Sequence, residues 1–277
     1  MTGGSGNVGR EVLRALRARG ATVRLAYHQT EPAAATGAVE PVRLEFRDRS
    51  TWNAALRGCR GLFLMRPNPV LAAGKILNPF LDAAASAGIQ HCVFLSVAGA
   101  ERNPRVPHHA VEQHLKRGGL RWTMLRAAFF AQNLAGPYRE DIRRGQLVLP
   151  AGDARIAWVD TCDLGEVAAI ALCDPERFGG QAWHLTGPDS MGFAAVAQLL
   201  TEALQRPVTY RPASLWGFWR HARRHGVARV PALAYLIIHA ALRGGSGAAL
   251  DPTLERLLGR PGRSLRDYIA ANRDIWN

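Results

Sequence analysis

Three evenly spaced glycines at the start of the chain could cradle an anion. Thr2-Gly3-Gly4-Ser5-Gly6-Asn7-Val8-Gly9 leads straight into a helical pattern. In such a loop the first glycine turns the chain and the second lets backbone N–H groups approach a pyrophosphate. The third lets the helix lie close to the sheet, with the phosphate at the positive helix end. Gly3, Ser5, Gly6, Asn7, Val8 and Gly9 are therefore expected to hold a dinucleotide. The strand after that helix ends Tyr27-His28-Gln29-Thr30, with no acid before Glu31. An acid at this point would bind the ribose hydroxyls of NAD and repel a 2′-phosphate, so its absence favours NADP(H) over NAD(H). His28 then either meets that phosphate or is a plain loop histidine. Ser96 closes an apolar strand, where its hydroxyl either serves chemistry or bonds backbone. His108 and His109 open a helix; histidine is the side chain suited to proton exchange near neutral pH, so they either supply a proton or bind substrate, or else face solvent or the lobe interface.

These residues need a frame, and the sequence supplies one. Short apolar or β-branched runs at 22–27, 42–46, 61–65, 92–97 and 122–127 read as strands. Between them, 7–19 places Val8, Val12, Ala15 and Leu16 on one face, and Gly20 suits the stop; further helices are expected after Ser50 and from Pro79 to Gly88. Strands alternating with helices give right-handed crossovers and a doubly wound parallel sheet, an α/β fold of Rossmann type. Past Pro150 the rhythm changes. Strands are expected at 155–159, 183–186 and about 208–210, with helices from Leu164, capped by Asp163, and over 193–204. We therefore expect a dinucleotide-binding domain over 1–150 and a smaller C-terminal substrate-side lobe over 151–277, partly interleaved with it.

Composition narrows the classes further. The chain has 277 residues, 48% of them hydrophobic and 21% charged, which is globular composition rather than that of a disordered or fibrous chain. Lys and Arg total 35 against 22 acids, a net charge of +13. Lys75 and Lys116 are the only lysines, and the arginines are scattered, so a nucleic-acid partner is not expected. The four cysteines fit neither a CxxC pair nor a zinc-ligand spacing, so no metal is expected and the thiols read as reduced in a cytoplasmic protein. The longest apolar stretch, 230–242, contains His239 and is too short to span a bilayer.

The opening motif TGGSGNVG resembles the glycine motif of atypical short-chain dehydrogenases/reductases, specifically the NmrA-like group. The resemblance extends through Gly88-Ile89-Gln90-His91-Cys92-Val93-Phe94-Leu95-Ser96, Val106-Pro107-His108-His109 with Glu112 and Leu115, and Leu125-Arg126 with Phe129-Phe130-Ala131-Gln132-Asn133-Leu134. It continues in Trp158-Val159-Asp160 and Leu258-Gly259-Arg260-Pro261. In that group the glycine loop follows an apolar central strand, whereas here Met1 stands at its last position, so the first strand is expected to be truncated. The resemblance implies that Glu45 lies near the adenine and that Met65 and Arg66 run along the cofactor, unless Arg66 is a surface charge.

The resemblance also places the Tyr and Lys of the usual proton relay at Val106 and Ala110, so both groups are missing. Alcohol oxidation and epimerisation, which need that relay, are then disfavoured. Hydride transfer to a quinone, an enone or an imine, which needs mainly proximity and orientation, remains open. Phe129, Phe130, Asn133 and Trp158 would form an apolar wall for the small-molecule acceptor, or else be ordinary core residues. The Trp216–Trp219 segment and the 230–242 helix either close that site or form a surface patch for a partner or membrane. A non-catalytic NADP(H)-sensing protein is the alternative reading, and a homodimer or a regulatory partner stays open.

Overall fold

The computed structural model describes residues 1–31, 38–67, 72–245 and 247–277. The chain begins with α1 (Asn7–Ala18), β1 (Val23–Tyr27), β2 (Val39–Arg43), α2 (Trp52–Leu56), β3 (Gly61–Met65), α3 (Ala73–Ser86), β4 (His91–Val97), α4 (Pro107–Arg117) and β5 (Arg121–Ala127). It continues with β6 (Phe129–Phe130), α5 (Arg139–Arg143), β7 (Gln146–Leu149), β8 (Arg155–Val159), α6 (Thr161–Cys173), α7 (Pro175–Phe178) and β9 (Gln181–Leu185). The remainder is β10 (Ser190–Gly192), α8 (Phe193–Leu204), β11 (Thr209–Pro212), α9 (Leu215–Arg224), α10 (Arg229–Leu242), α11 (Thr253–Leu258) and α12 (Leu265–Ala271). Two compact units result. One comprises Met1–Ala127 with Thr161–Leu185, the other Ala128–Asp160 with Thr186–Asn277, so the chain crosses between them three times.

In the first unit β3, β4, β5 and β9 form a parallel sheet in that order, and β1 and β2 form a parallel pair. Met1 and Thr2 lie between the two sets. Ala26 N donates to Met1 O at 2.9 Å, and Thr2 N donates to Phe63 O at 3.0 Å. Thr2 Oγ1 accepts from Met65 N at 3.0 Å. These bonds set the glycine loop in register with β1 and β3. β4 is buried on both faces from His91 to Ser96, as a central strand of a two-sided sheet must be. Leu64, Phe94 and Met124 point to the side covered by α2, α3 and α4, where Leu77, Phe80, Val111 and Leu115 complete one core. On the opposite side α6 packs on β3, β4 and β5 and pairs with α1.

The strands expected at 61–65 and 155–159 and the helix over 193–204 fall where their apolar patterns put them. Three expectations are corrected. β2 covers 39–43 rather than 42–46, because it pairs with β1 from Val23↔Val39 and as an edge strand tolerates Pro41. α3 begins at Ala73 rather than at Pro79, because Ala73 and Leu77 bury on the same face as Phe80, Leu81 and Ala84, and that packing outweighs the hydrogen bond lost at an interior proline. Asp163 lies inside α6, which already starts at Thr161.

The second unit has a small sheet of order β10-β8-β6 and a parallel pair of β11 with β7. Its core is rich in rings, among them Tyr138, Trp158, Phe193, Phe218 and Trp276.

Candidate functional site

Gly3 adopts φ +70°, and a Cβ there would fall 2.2 Å from Met65 Sδ. A Cβ on Gly9 would fall 2.0 Å from Gly3 O. Loop and helix start are therefore packed to a closeness that only glycine permits. Gly6 N donates to Gly3 O and Arg10 N to Gly6 O, each at 3.0 Å, which closes the turn onto α1. No side chain caps α1 and no acid stands in its first turn, so the first amides keep their donors and the helix end stays positive. Ser5 and Asn7 are exposed at the mouth of the turn, whereas Val8 and Gly9 are buried beneath it. This cradle fits a pyrophosphate. Met65 lies directly against it, and Arg66, half-buried, follows at the end of β3.

His28 and Glu45, read separately from the sequence, are brought together, with His28 Nε2 against a carboxylate oxygen of Glu45. His28 is exposed just past β1, and Glu45 follows β2 with its backbone oxygen accepting from Trp52 Nε1 at 3.1 Å.

Ser96, at the end of β4, has no exposed surface, and its Oγ donates to Glu112 Oε1 at 2.6 Å. Arg126 donates to both oxygens of the same carboxylate, at 3.1 Å and 2.7 Å. Glu112 on α4 is fully buried, so the three side chains tie α4 to β4 and β5. Burial pushes the Glu112 carboxyl up, but the hydrogen bonds from Arg126 and Ser96 outweigh it and hold the group below the usual carboxylate range. Glu101 stands 3.4 Å from Arg126 and 3.6 Å from His184, which extends the network to β9.

His108 is buried beside Phe94, with ring centroids 5.9 Å apart, and its Nδ1 has no hydrogen-bond partner among the described residues. Burial, then the Arg66 cation, pull its pKa down to about 4, so the ring is neutral at physiological pH. His109 is half-buried and its Nδ1–H donates to Ala100 O at 2.7 Å, which leaves Nε2 as the other ring nitrogen. Ala110, at the position implied for the relay Lys, faces Gly74 of α3, where a Cβ would fall 2.8 Å from that of Ala110.

In the second unit Phe129 and Phe130 form β6 and pair with Trp158 and Val159. Phe129 meets Trp158 edge-on at 5.1 Å. Trp158 is 2% exposed, donates from Nε1 to Met191 O at 3.2 Å, and so backs Phe129 rather than offering a face of its own. Phe130 and Asn133 are half-buried, and Asn133 O accepts from Tyr138 N at 3.2 Å. The sequence reading missed a buried pair here. Tyr138 Oη donates to His239 Nε2 at 2.8 Å, and His239 Nδ1–H donates to Tyr235 O at 2.6 Å. It also missed Asp141, His221 and His225, which come close enough to share an ion. His221 is bonded to Asp141 at 2.8 Å, and Arg144 stands beside the same carboxylate at 3.9 Å, which disfavours a cation. The only signal in the sequence was the i, i+4 spacing of the two histidines.

A parallel sheet with helices on both faces and a glycine turn at the first helix defines a Rossmann-type dinucleotide fold. The sequence pattern of the NmrA-like family matches residues 1–216, and the chain belongs to that family. Among curated relatives, prestalk A differentiation protein A of Dictyostelium discoideum is 30% identical over 220 residues, covering 76% of this chain and 70% of its own. NAD(P)H azoreductase of Xenophilus azovorans is 28% identical over 279 residues, 98% and 96% of the two chains. Among solved structures, the NADPH complex of the Escherichia coli quinone oxidoreductase aligns with a TM-score of 0.87 at 22% identity, over 98% of each chain. The Citrobacter sp. triphenylmethane reductase with NADP(H) aligns at 0.85 and 21%, again over 98% of each. NmrA, a negative transcriptional regulator in complex with NAD, aligns at 0.78 and 19%, over 97% of this chain and 93% of its own.

Proposed function

We propose that this chain is an NAD(P)H-dependent reductase that prefers NADP(H) and transfers hydride to a small, flat, apolar acceptor such as a quinone, an enone or an imine. The observation that carries the reading is the uncapped, acid-free start of α1 under a glycine turn too tight for any side chain. The reductase names of the azoreductase and quinone oxidoreductase relatives support the direction of the chemistry. A bound nicotinamide dinucleotide supplies the hydride. The chain's own part is to hold its pyrophosphate with Gly3, Ser5, Gly6, Asn7, Val8 and Gly9, flank it with Met65 and Arg66, and receive the adenosine end at His28 and Glu45. The NADP(H) preference rests on the lack of any acid from His28 to Thr30, and the Glu45 carboxylate brought onto His28 counts against it.

No Tyr/Lys relay takes part in this scheme: Val106 and Ala110 hold the positions that the family resemblance implies for it. Of the three proposed catalytic side chains, Ser96 has its proton committed to Glu112, and the neutral His108 holds an unpartnered nitrogen inside the fold. His109 is the one we assign to proton supply or acceptor contact, since Ala100 O fixes its tautomer and leaves Nε2 available. Phe129, Phe130 and Asn133 receive the acceptor, with Trp158 positioning Phe129. NADPH and NADH oxidation with a panel of quinones, azo dyes and cyclic imines tests the reading. Turnover with at least one class, at a lower KM for NADPH, is expected.

A second reading is an NADP(H) sensor that turns over nothing. The commitment of Ser96 to a buried ion pair favours it. Tight cofactor binding without turnover of any acceptor would replace the first reading with this one.

A further inference from the structure

Every large apolar side chain that is markedly exposed among the described residues lies between Leu215 and Leu250. The same part of the chain carries no acid: between Glu202 and Asp251 there are seven arginines and neither an Asp nor a Glu. The two facts coincide on α9 and α10. On α10 the inward stripe is Ala232, Tyr235, Leu236 and His239, at i, i+3, i+4 and i+7. His239 locks that orientation, bonded to Tyr138 and to Tyr235 O deep in the core. The outward face is consequently fixed, and it presents Val230, Leu233, Ile237 and Ile238 at 55, 53, 61 and 44% exposure. A helix resting on a globular core ordinarily places charges there. Here charge appears only at the two ends, at Arg229 and Arg243. On the adjoining α9, Trp216 is 66% exposed, and Arg220 and Arg223 follow it one and two turns later on the same side.

We propose that the outward faces of α9 and α10 form a docking surface for an anionic phospholipid bilayer, with α10 lying in the plane of the interface. Fourteen residues of helix extend about 21 Å, too short to span but suited to lie at the headgroup boundary. Aliphatic side chains enter the acyl region, Trp216 sits at headgroup level, and the arginines meet lipid phosphates. A second copy fits this face poorly, since self-association would set arginines against arginines with no acid in the stretch to pair them. A nucleic acid would meet the arginines but gain nothing from an aliphatic helix face.

The test is co-sedimentation of the full chain with vesicles of phosphatidylcholine alone and with about a quarter phosphatidylglycerol. Partitioning onto the anionic vesicles is expected to exceed that onto neutral ones by about tenfold or more and to weaken as salt rises. Leu233→Glu with Ile237→Glu should reduce it about tenfold with thermal melting unchanged, and the milder Ile237→Ser should reduce it less. Arg220→Ala with Arg223→Ala should lower the salt dependence. Equal binding to both vesicle types, or binding indifferent to the Leu233 and Ile237 variants, overturns the proposal. A concentration-dependent dimer abolished by Ile237→Ser assigns the face to a second copy instead. Duplex DNA binding that persists in that variant, without vesicle binding, assigns it to a nucleic acid.

Discussion

The Ser96–Glu112–Arg126 cluster gives the sharpest energetic expectation. Replacing Glu112 by Gln keeps the shape and removes the charge. It leaves Arg126, 7% exposed, without the carboxylate that accepts two of its N–H groups. Removing one partner of a buried pair costs about 3–5 kcal/mol. Glu101 remains 3.4 Å from Arg126 and offsets part of that loss, so the lower end, about 3 kcal/mol, is expected. For a chain of this length that corresponds to a fall in Tm of about 6–12 °C. Ser96→Ala removes one hydrogen bond to a charged acceptor and should cost about 1.5–3 kcal/mol. Substituting all three together, Ser96→Ala, Glu112→Leu and Arg126→Met, removes both charges of the buried pair and leaves only Glu101, which keeps His184 at 3.6 Å, so it should be less destabilising than the sum of the single changes. Urea unfolding of the parent, the singles and the triple measures each quantity. A Glu112→Gln variant as stable as the parent, or a triple as unstable as the summed singles, would refute the account of this cluster as a charge-compensated tie between α4 and the sheet.

Further outcomes follow from the same geometry. His108 and His91, each drawn down to about 4 from an ordinary 6.5, take up protons in the unfolded chain before the native one. Stability should therefore be full above pH 6.5 and fall as pH drops toward 4, by up to about 3 kcal/mol per histidine, and His108→Gln should flatten that slope in Tm-against-pH measurements. Gly9→Ala, whose methyl would meet Gly3 O, should weaken dinucleotide binding about tenfold or more by calorimetry and lower Tm. Tyr138→Phe leaves His239 Nε2 buried without its donor and should cost about 1–3 kcal/mol in chemical unfolding. If His109 acts as assigned, His109→Gln should lower kcat with the chosen acceptor about tenfold or more and alter its pH profile, while NADPH binding stays unchanged.

The α1 turn, the apolar strands and the alternation of helix with strand were legible because each is a local pattern. Glycine at Gly3 and Gly9 is a constraint of backbone geometry, and the apolar run ending at Ser96 announces a strand buried on both faces. Edges were less legible. β2 is half-exposed and carries Pro41, so its apolar periodicity does not fix its register. α3 runs through Pro79 because its buried face, not its local propensity, sets its length.

The sequence by itself determined the fold class, the position of the glycine turn at α1 and the candidate residues around it, since these depend on residue type and short-range spacing. Only the tertiary structure decided what those residues do with their polar groups. Ser96 donates to Glu112, 16 residues away, and His28 is paired with Glu45. Tyr138 reaches His239 across 101 residues, and through that bond the apolar face of α10 is turned outward. Such pairings are set by which elements fold against one another, and a side chain buried by that packing must find its partner wherever the chain happens to return.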